Sequence, residues 1–329
     1  MIRGIFLSAI GLALFHACTM AQDVQARADA LLERARQLED IRSPNAPSFR
    51  LQASFSFMGD DLEPVHGTYT ETWVSNAKWR QETVVGDQRS IAVGGSGKQW
   101  VLVPEGFPSK TDKLPILMTF LPPASLEVHF QSISELSTTG LTAECAFTVS
   151  DAQKFRSVFC FEKKTGLLLQ KLFPEKRPRN VVSFSCAYGS LRKFGEYFFP
   201  GEVACSEDQH KSIHASVLEL SLQPSPDAAQ FEPPAGAVEV PECSGKMVAP
   251  YLVRPGFGPL LLDPDRISWI PVWLIVDAKG KVQNVRVLRS LDPTSYKKAV
   301  SAAHDLSFAP GTCNGLPTPM PITLSVSTR

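Results

Sequence analysis

The sequence predicts an α+β fold: a curved antiparallel sheet, or half-barrel, holding one long helix, followed by a smaller β-β-α-β domain. Three observations predict it. An amphipathic run near the start has helical spacing. A long succession of short alternating runs, separated by turn residues, comes next. The chain then closes with a hairpin, a helix and a final strand.

The first residues read MIRGIFLSAIGLALFHACTMAQ. Arg3 supplies a positive start, and Ile5 to Phe15 form an apolar stretch shorter than the roughly 20 residues a bilayer span needs. Thr19-Met20-Ala21 offers small residues before a cleavage point after Ala21. This is the pattern of a secretory signal peptide over 1–21. A lipid anchor at Cys18, behind the small Ala17, and a retained membrane anchor are the alternatives. The expected location is the periplasm or the outer membrane. Lys and Arg total 33 and Asp and Glu total 33, so the formal charge is zero. Such a balance points away from nucleic acid and from anionic membrane surfaces as partners.

In VQARADALLERARQLEDI, Ala28, Leu31, Leu32, Ala35, Leu38 and Ile41 recur at three- and four-residue spacing, with Arg27, Glu33, Arg34 and Glu39 assigned to the opposite face. Ser43-Pro44 ends the helix. The period then becomes two. In SFRLQASFSFM, Phe49, Leu51, Ala53, Phe55 and Phe57 alternate with Arg50, Gln52, Ser54 and Ser56. Further strands are expected at GTYTETWVS, AKWRQETVV, RSIAVGG, KQWVLVP, CAFTVS, RSVFCFE, LLLQKLF, VVSFSCAY, EYFFPGEVAC and SIHASVLELSL, punctuated by GDD, VGD, GGSGK and KKTG. The first domain so defined covers 22–232. The Pro-rich stretch over 233–250 reads as a linker, and the second domain covers 251–329. In that domain SWIPVWLIV and KVQNVRVLR form a hairpin around Asp277-Ala278-Lys279-Gly280. Asp292 caps a helix with Pro293 at its first position. Tyr296, Ala299, Val300, Ala303 and Leu306 make the buried stripe of that helix, and PITLSVS is the last strand.

Two resemblances follow from these residues. The amphipathic helix, the alternating first strand, WVSNAKWRQETVV, GGSGKQWVLVP, CFEKKTGLLLQ and FEPPAGA together resemble the LolA/LolB-like family of periplasmic lipoprotein carriers. Members of that family are incomplete barrels whose apolar interior accepts acyl chains. The resemblance implies that Phe49, Leu51, Phe55, Phe57, Trp73, Trp79 and Trp100 line such an interior; a filled core has the same sequence pattern. The C-terminal run VWLIVDAKGKVQNVRVLRS, LDPTSYKKAVSAAHDLSFAPGTCNGLPTPMPITLSVS resembles the C-terminal domain of TonB over roughly 266–329. Phe308 and Pro310 match that family's F-x-P, and Gly315 and Pro317 its G-x-P turn. There is no long Pro-rich span before the domain, so what the resemblance implies is strand pairing with an envelope partner rather than energy transduction. The edge expected to pair is Ile322, Thr323, Leu324, Ser325 and Val326, by β-augmentation.

Beyond the signal the cysteines are Cys145, Cys160, Cys186, Cys205, Cys243 and Cys313. An even set in an exported chain reads as disulfides, though the count leaves many pairings open. Cys145 with Cys160, and Cys186 with Cys205, lie on neighbouring expected strands. Cys243 with Cys313 would close a loop around most of the small domain, a constraint worth about 4 kcal/mol in the chain-entropy model.

No catalytic constellation is legible, and the expectation is a non-enzyme without cofactor or metal. His210 and His214 have helical metal spacing, but their run reads as a strand, which sets them roughly 13 Å apart. GGSGK is followed by Gln99 and lacks the first glycine of a P-loop. Asp60-Asp61 reads as an ordinary turn. Three functions remain open. The first is a transport-associated adaptor working through the C-terminal edge strand. The second is a carrier of lipid or lipoprotein acyl chains, and the third is a structural envelope protein.

Overall fold

The structure, a computed structural model, describes residues 6–59, 63–95, 97–121, 128–138, 141–148, 157–176, 181–207, 210–243, 245–254, 269–289 and 291–327. The Asp60-Asp61 turn and the first residues of the signal lie outside them. In chain order, α1 (Phe6–Glu39) precedes β1 (Phe49–Met58), β2 (Pro64–Ser75), β3 (Lys78–Val85), β4 (Gln88–Gly95) and β5 (Lys98–Leu102). A 3₁₀ turn (Ser109–Lys113) and α2 (Leu114–Met118) lead to β6 (Phe130–Thr138), β7 (Leu141–Thr148), β8 (Val158–Glu162), β9 (Leu168–Lys176) and β10 (Val181–Gly189). Then come β11 (Arg192–Phe194), β12 (Tyr197–Phe199), β13 (Glu202–Glu207), β14 (His210–Leu222), β15 (Val238–Pro241), β16 (Met247–Val248) and β17 (Tyr251–Arg254). The chain closes with β18 (Trp269–Val276), β19 (Val282–Val287), α3 (Pro293–His304), β20 (Ser307–Ala309), β21 (Thr312–Cys313), β22 (Leu316–Pro317) and β23 (Met320–Ser327). The protein is thus mostly antiparallel β with few helices, and among the described residues the strand orders do not close into a barrel. Among the described residues no helix is long and apolar enough to cross a membrane.

The chain forms two compact units that interleave in sequence, where the expected division into 22–232, 233–250 and 251–329 was sequential. Unit 1 comprises Met1–Ile41 with Thr119–His214, and unit 2 comprises Arg42–Met118 with Ala215–Arg329.

Unit 1 is α1 with the antiparallel order β13-β10-β9-β8-β7-β6 and the separate hairpin β11-β12. Ala28, Leu32 and Ala35 of α1 are fully or almost fully buried, as their spacing requires. Glu39 departs from the expectation. It sits on the buried side, 2% exposed, not on the polar face with Arg27, Glu33 and Arg34. Here at the helix end its carboxylate reaches the Leu168 backbone N–H, an acceptor role that fixes the side chain inward.

Unit 2 carries the order β15-β5-β4-β3-β2-β1-β14 and a second sheet, β19-β18-β23. The stretch expected as a linker contributes β15, which pairs with β5. Its alternating Val238 and Val240 explain this, because Val240 is fully buried. In the second sheet, β18 is apolar throughout because both its faces are covered. Ile270, Val272, Leu274 and Val276 pack with α3 through Ala299, Ala302 and Ala303. Trp273 and Ile275 pack the other way, with Phe107, Val240 and Leu288. Asp292 caps α3 by accepting from the N–H groups of Thr294 and Ser295.

The three disulfides are Cys145–Cys160, Cys186–Cys205 and Cys243–Cys313. The first two join residues directly opposite each other in the β7/β8 and β10/β13 ladders. The third ties the entrance of the C-terminal segment to β21. Disulfides in this number are the mark of an exported chain.

Candidate functional site

The residues expected to line an acyl cavity fall in unit 2. Phe49, Leu51, Phe55, Phe57 and Trp73 are at most 6% exposed, whereas Trp79 and Trp100 are half-buried. Phe49 stacks on Trp73 at 5.7 Å and Phe55 on Phe57 at 5.8 Å. Trp79 continues the row, since Phe49 faces Trp73 and Trp73 faces Trp79 across the ladders. Trp100 does not belong to it. Trp79 faces Gly94, and Gly94 faces Gln99, so Trp100 is one residue out of register and lies on the opposite face.

The neighbouring row on the Phe49 face carries two polar residues between two apolar ones: Leu51 faces Glu71, Glu71 faces Gln81, and Gln81 faces Ala92. Glu71 is 1% exposed and is held by Arg42 through two hydrogen bonds, 2.9 Å from Nε and 2.5 Å from an Nη. The Tyr69 hydroxyl donates to the same carboxylate, and Arg42 also donates to the Met118 carbonyl. Burial and then the charge of Glu71 push the Tyr69 phenol up. Farther along the face, Gln81, Thr83, Ala92, Phe107, Trp273 and Thr323 line a cavity of about 150 Å³. Trp273 of β18 and Thr323 of β23 form part of its wall, and none of the seven expected residues lines it. Ligand sites for drug-sized molecules run to about 300–1,000 Å³, so this space is too small for an acyl chain.

The expected partner edge is β23. One face of it, Ile322, Leu324 and Val326, packs into the α3 core, and Thr323 reaches the small cavity. Among the described residues β23 pairs with β18 alone, in register from Trp269–Ser327 to Val276–Met320. It is therefore the terminal strand of its sheet. His210 and His214 lie in one strand, β14, and among the described residues no group of His, Cys, Asp and Glu has the makings of a metal site.

Unit 1 holds the more unusual chemistry. Phe120, Phe130, Phe159, Phe161, Phe184, Tyr188 and Phe199 are buried there. Phe120 sits at the centre, 4.8 Å from the Tyr188 ring and 5.8 Å from that of Phe199. Phe130 meets Phe159 edge to face, and Phe173 leans on Phe184 at 5.2 Å. Two titratable groups share this apolar interior. Glu39 accepts from the Leu168 N–H at 2.8 Å, and its other oxygen has no hydrogen-bond partner among the described residues. Burial lifts its carboxyl to about 8, against the opposing pull of that N–H. It is thus largely protonated at neutral pH. Burial and the charge of Glu39 also push the Tyr188 phenol up, which places the two side chains in one environment. The second group is Lys171. Its Nζ lies 5.0 Å from the Phe173 ring centroid and 6.0 Å from that of Phe159, and donates to the Phe120 carbonyl at 3.4 Å. Burial lowers its affinity for the proton.

Sequence reading missed this cluster. Its members come from the α2–β6 connection and from β6, β8, β9, β10 and β12, which only tertiary pairing brings together. The one local signal was Lys171 inside the apolar run LLLQKLF.

No family model matches the chain, and no curated protein matches it. Among solved structures it is similar to a LolA superfamily protein, NE2245, from Nitrosomonas europaea, at 11% identity and a TM-score of 0.44, covering 62% of this chain and 97% of that one. A putative outer membrane lipoprotein-sorting protein domain from Vibrio parahaemolyticus gives 13% identity and a TM-score of 0.40, covering 61% of this chain and 95% of that one. The Pseudomonas aeruginosa MucA/MucB complex gives 13% identity and a TM-score of 0.28, covering 88% of this chain and 99% of that one. These are remote similarities, which establish neither a family nor a function.

Proposed function

We propose that this is an exported, non-enzymatic binding protein of the cell envelope, with a signal peptide over 1–21, whose unit 1 takes up the apolar tail of a lipid-like ligand. The observation that carries this reading is the interior built around Phe120. Aromatic rings there surround a few polar groups, Glu39, Tyr188 and Lys171, and an apolar wall with sparse polar fixtures is the usual composition of a small-molecule site. Lys171 and Phe173, which share one face of β9, are half-buried rather than sealed, so that strand offers a way in.

The test uses the purified mature chain and N-phenyl-1-naphthylamine, a neutral fluorophore that brightens in apolar sites. Saturable brightening is expected, together with its loss in Phe173→Asp, with circular dichroism showing that the variant remains folded. Brightening that Phe173→Asp leaves unchanged contradicts the site.

A second reading has its own observation: β23 is the terminal strand of β19-β18-β23. On this reading a TonB-like C-terminal domain pairs that edge with an extended segment of another envelope protein. Leu324→Pro, if circular dichroism shows a folded domain, is expected to abolish capture of extended peptides from outer-membrane proteins. Undiminished capture contradicts the edge model.

A further inference from the structure

We infer that Lys171 receives the head of the ligand, and that the ligand is a monoanionic amphiphile of the fatty-acid class: a carboxylate on a single apolar tail. The inference deepens the unit 1 reading and rests on it.

Lys171 lies in β9, opposite Phe159 on β8 and Cys186 on β10. Phe159 is 4% exposed and Cys186 is fully buried in its disulfide, so the lysine projects from the covered part of the sheet. Its ammonium meets two aromatic faces, at 5.0 and 6.0 Å, and one backbone carbonyl at 3.4 Å. Among the described residues no carboxylate lies within ion-pair distance of it. Other lysines of the chain do have such partners: Lys98 with Glu239 at 2.8 Å, and Lys163 with Glu135 at 2.5 Å.

A cation partly withdrawn from water without a counter-charge beside it is disfavoured. Ring faces offset part of that cost, and one long hydrogen bond adds little. The ammonium has three donors, and among the described residues it finds a single acceptor. An anion arriving beside Nζ would satisfy the remaining donors and restore the charged lysine that burial disfavours. The apolar surface open to the tail of that anion is Phe173, half-buried beside Lys171 and leaning on the buried Phe184. One point charge matches one negative charge. A phosphate monoester carries more charge and is better held by several donors or an arginine fork. The protonated Glu39 adds no repulsion at neutral pH.

The experiment measures binding of cis-parinaric acid, and of its methyl ester, to the full mature chain. Wild type is expected to bind the acid at least about tenfold more tightly than the ester. Lys171→Met is expected to remove that preference by weakening the acid alone, whereas Lys171→Arg retains it. Equal affinity for acid and ester, untouched by Lys171→Met, overturns the inference while leaving the apolar site in place. Tighter binding of dodecyl phosphate than of dodecanoate overturns the monoanion class. Failure of both parinaric probes to bind overturns the unit 1 reading itself.

Discussion

Glu39 shows what one residue does when its helix turns it inward. The folded carboxyl holds its proton up to about pH 8, whereas an ordinary one releases it near 4.5. Between those values the folded chain binds more protons than the unfolded chain, so stability is greatest below the window and falls as pH rises through it. A shift of this size sets an upper bound on the order of 5 kcal/mol. Denaturant midpoints at about pH 5 and about pH 9 should therefore differ in wild type and converge in Glu39→Gln. Identical profiles would sink this account. Arg42 makes the opposite case, because its partner Glu71 is 1% exposed and held by it in a bidentate pair. Arg42→Ala leaves that carboxylate buried without its cation, and a loss of about 3–5 kcal/mol is expected in chemical denaturation. A loss below about 1 kcal/mol would mean that water already reaches Glu71. Helical spacing alone assigned Glu39 to the polar face. What overrides it is the Leu168 N–H, a long-range partner that no local pattern encodes.

Elements were more legible than sites. Phe49 to Phe57 alternate over five turns of the pleat, and β1 follows that alternation in its burial. The Asp277–Gly280 hairpin and the Asp292 cap were also visible, because turns and caps are made by adjacent residues. β6 escaped. FQSISELST is largely polar, and its ladder with β7 slips between Phe130 and Ser132, which interrupts the period. β15 escaped because its flanking prolines resemble a linker, although Val240 is fully buried. The hairpin that opens the C-terminal sheet allows a direct test. Gly280 has φ of +79°, and a Cβ there would meet the Phe308 carbonyl oxygen at 1.9 Å. Gly280→Ala should cost at least about 2 kcal/mol, read from thermal melts, because the backbone strain and the clash add together. The mutation would be harmless only if the Asp277 turn opened.

At the scale of the molecule, the cysteines and the strand content pointed to an exported, β-rich protein; the structure has the three disulfides and the antiparallel sheets. The interleaving of the two units was not legible, because α1 and β6–β13 come together across the whole of β1–β5. The aromatic cluster of unit 1 was hidden because its rings sit on separate strands that only tertiary pairing brings together. The Cys243–Cys313 bridge spans 70 residues, and the Cys243→Ser, Cys313→Ser pair should destabilise by about 2–5 kcal/mol. Intact mass before and after reduction should rise by about two hydrogens for each bridge. A smaller rise contradicts the three-bridge arrangement.

The central claim is that unit 1 houses a lipid-like ligand. The most direct measurement is to purify the mature protein from an exported preparation, extract it with organic solvent and identify what is released by mass spectrometry. The account predicts a near-stoichiometric amphiphile carrying one carboxylate, and its loss from Lys171→Met. A folded, fully disulfide-bonded protein that releases no lipid, and takes up none when offered, would contradict it.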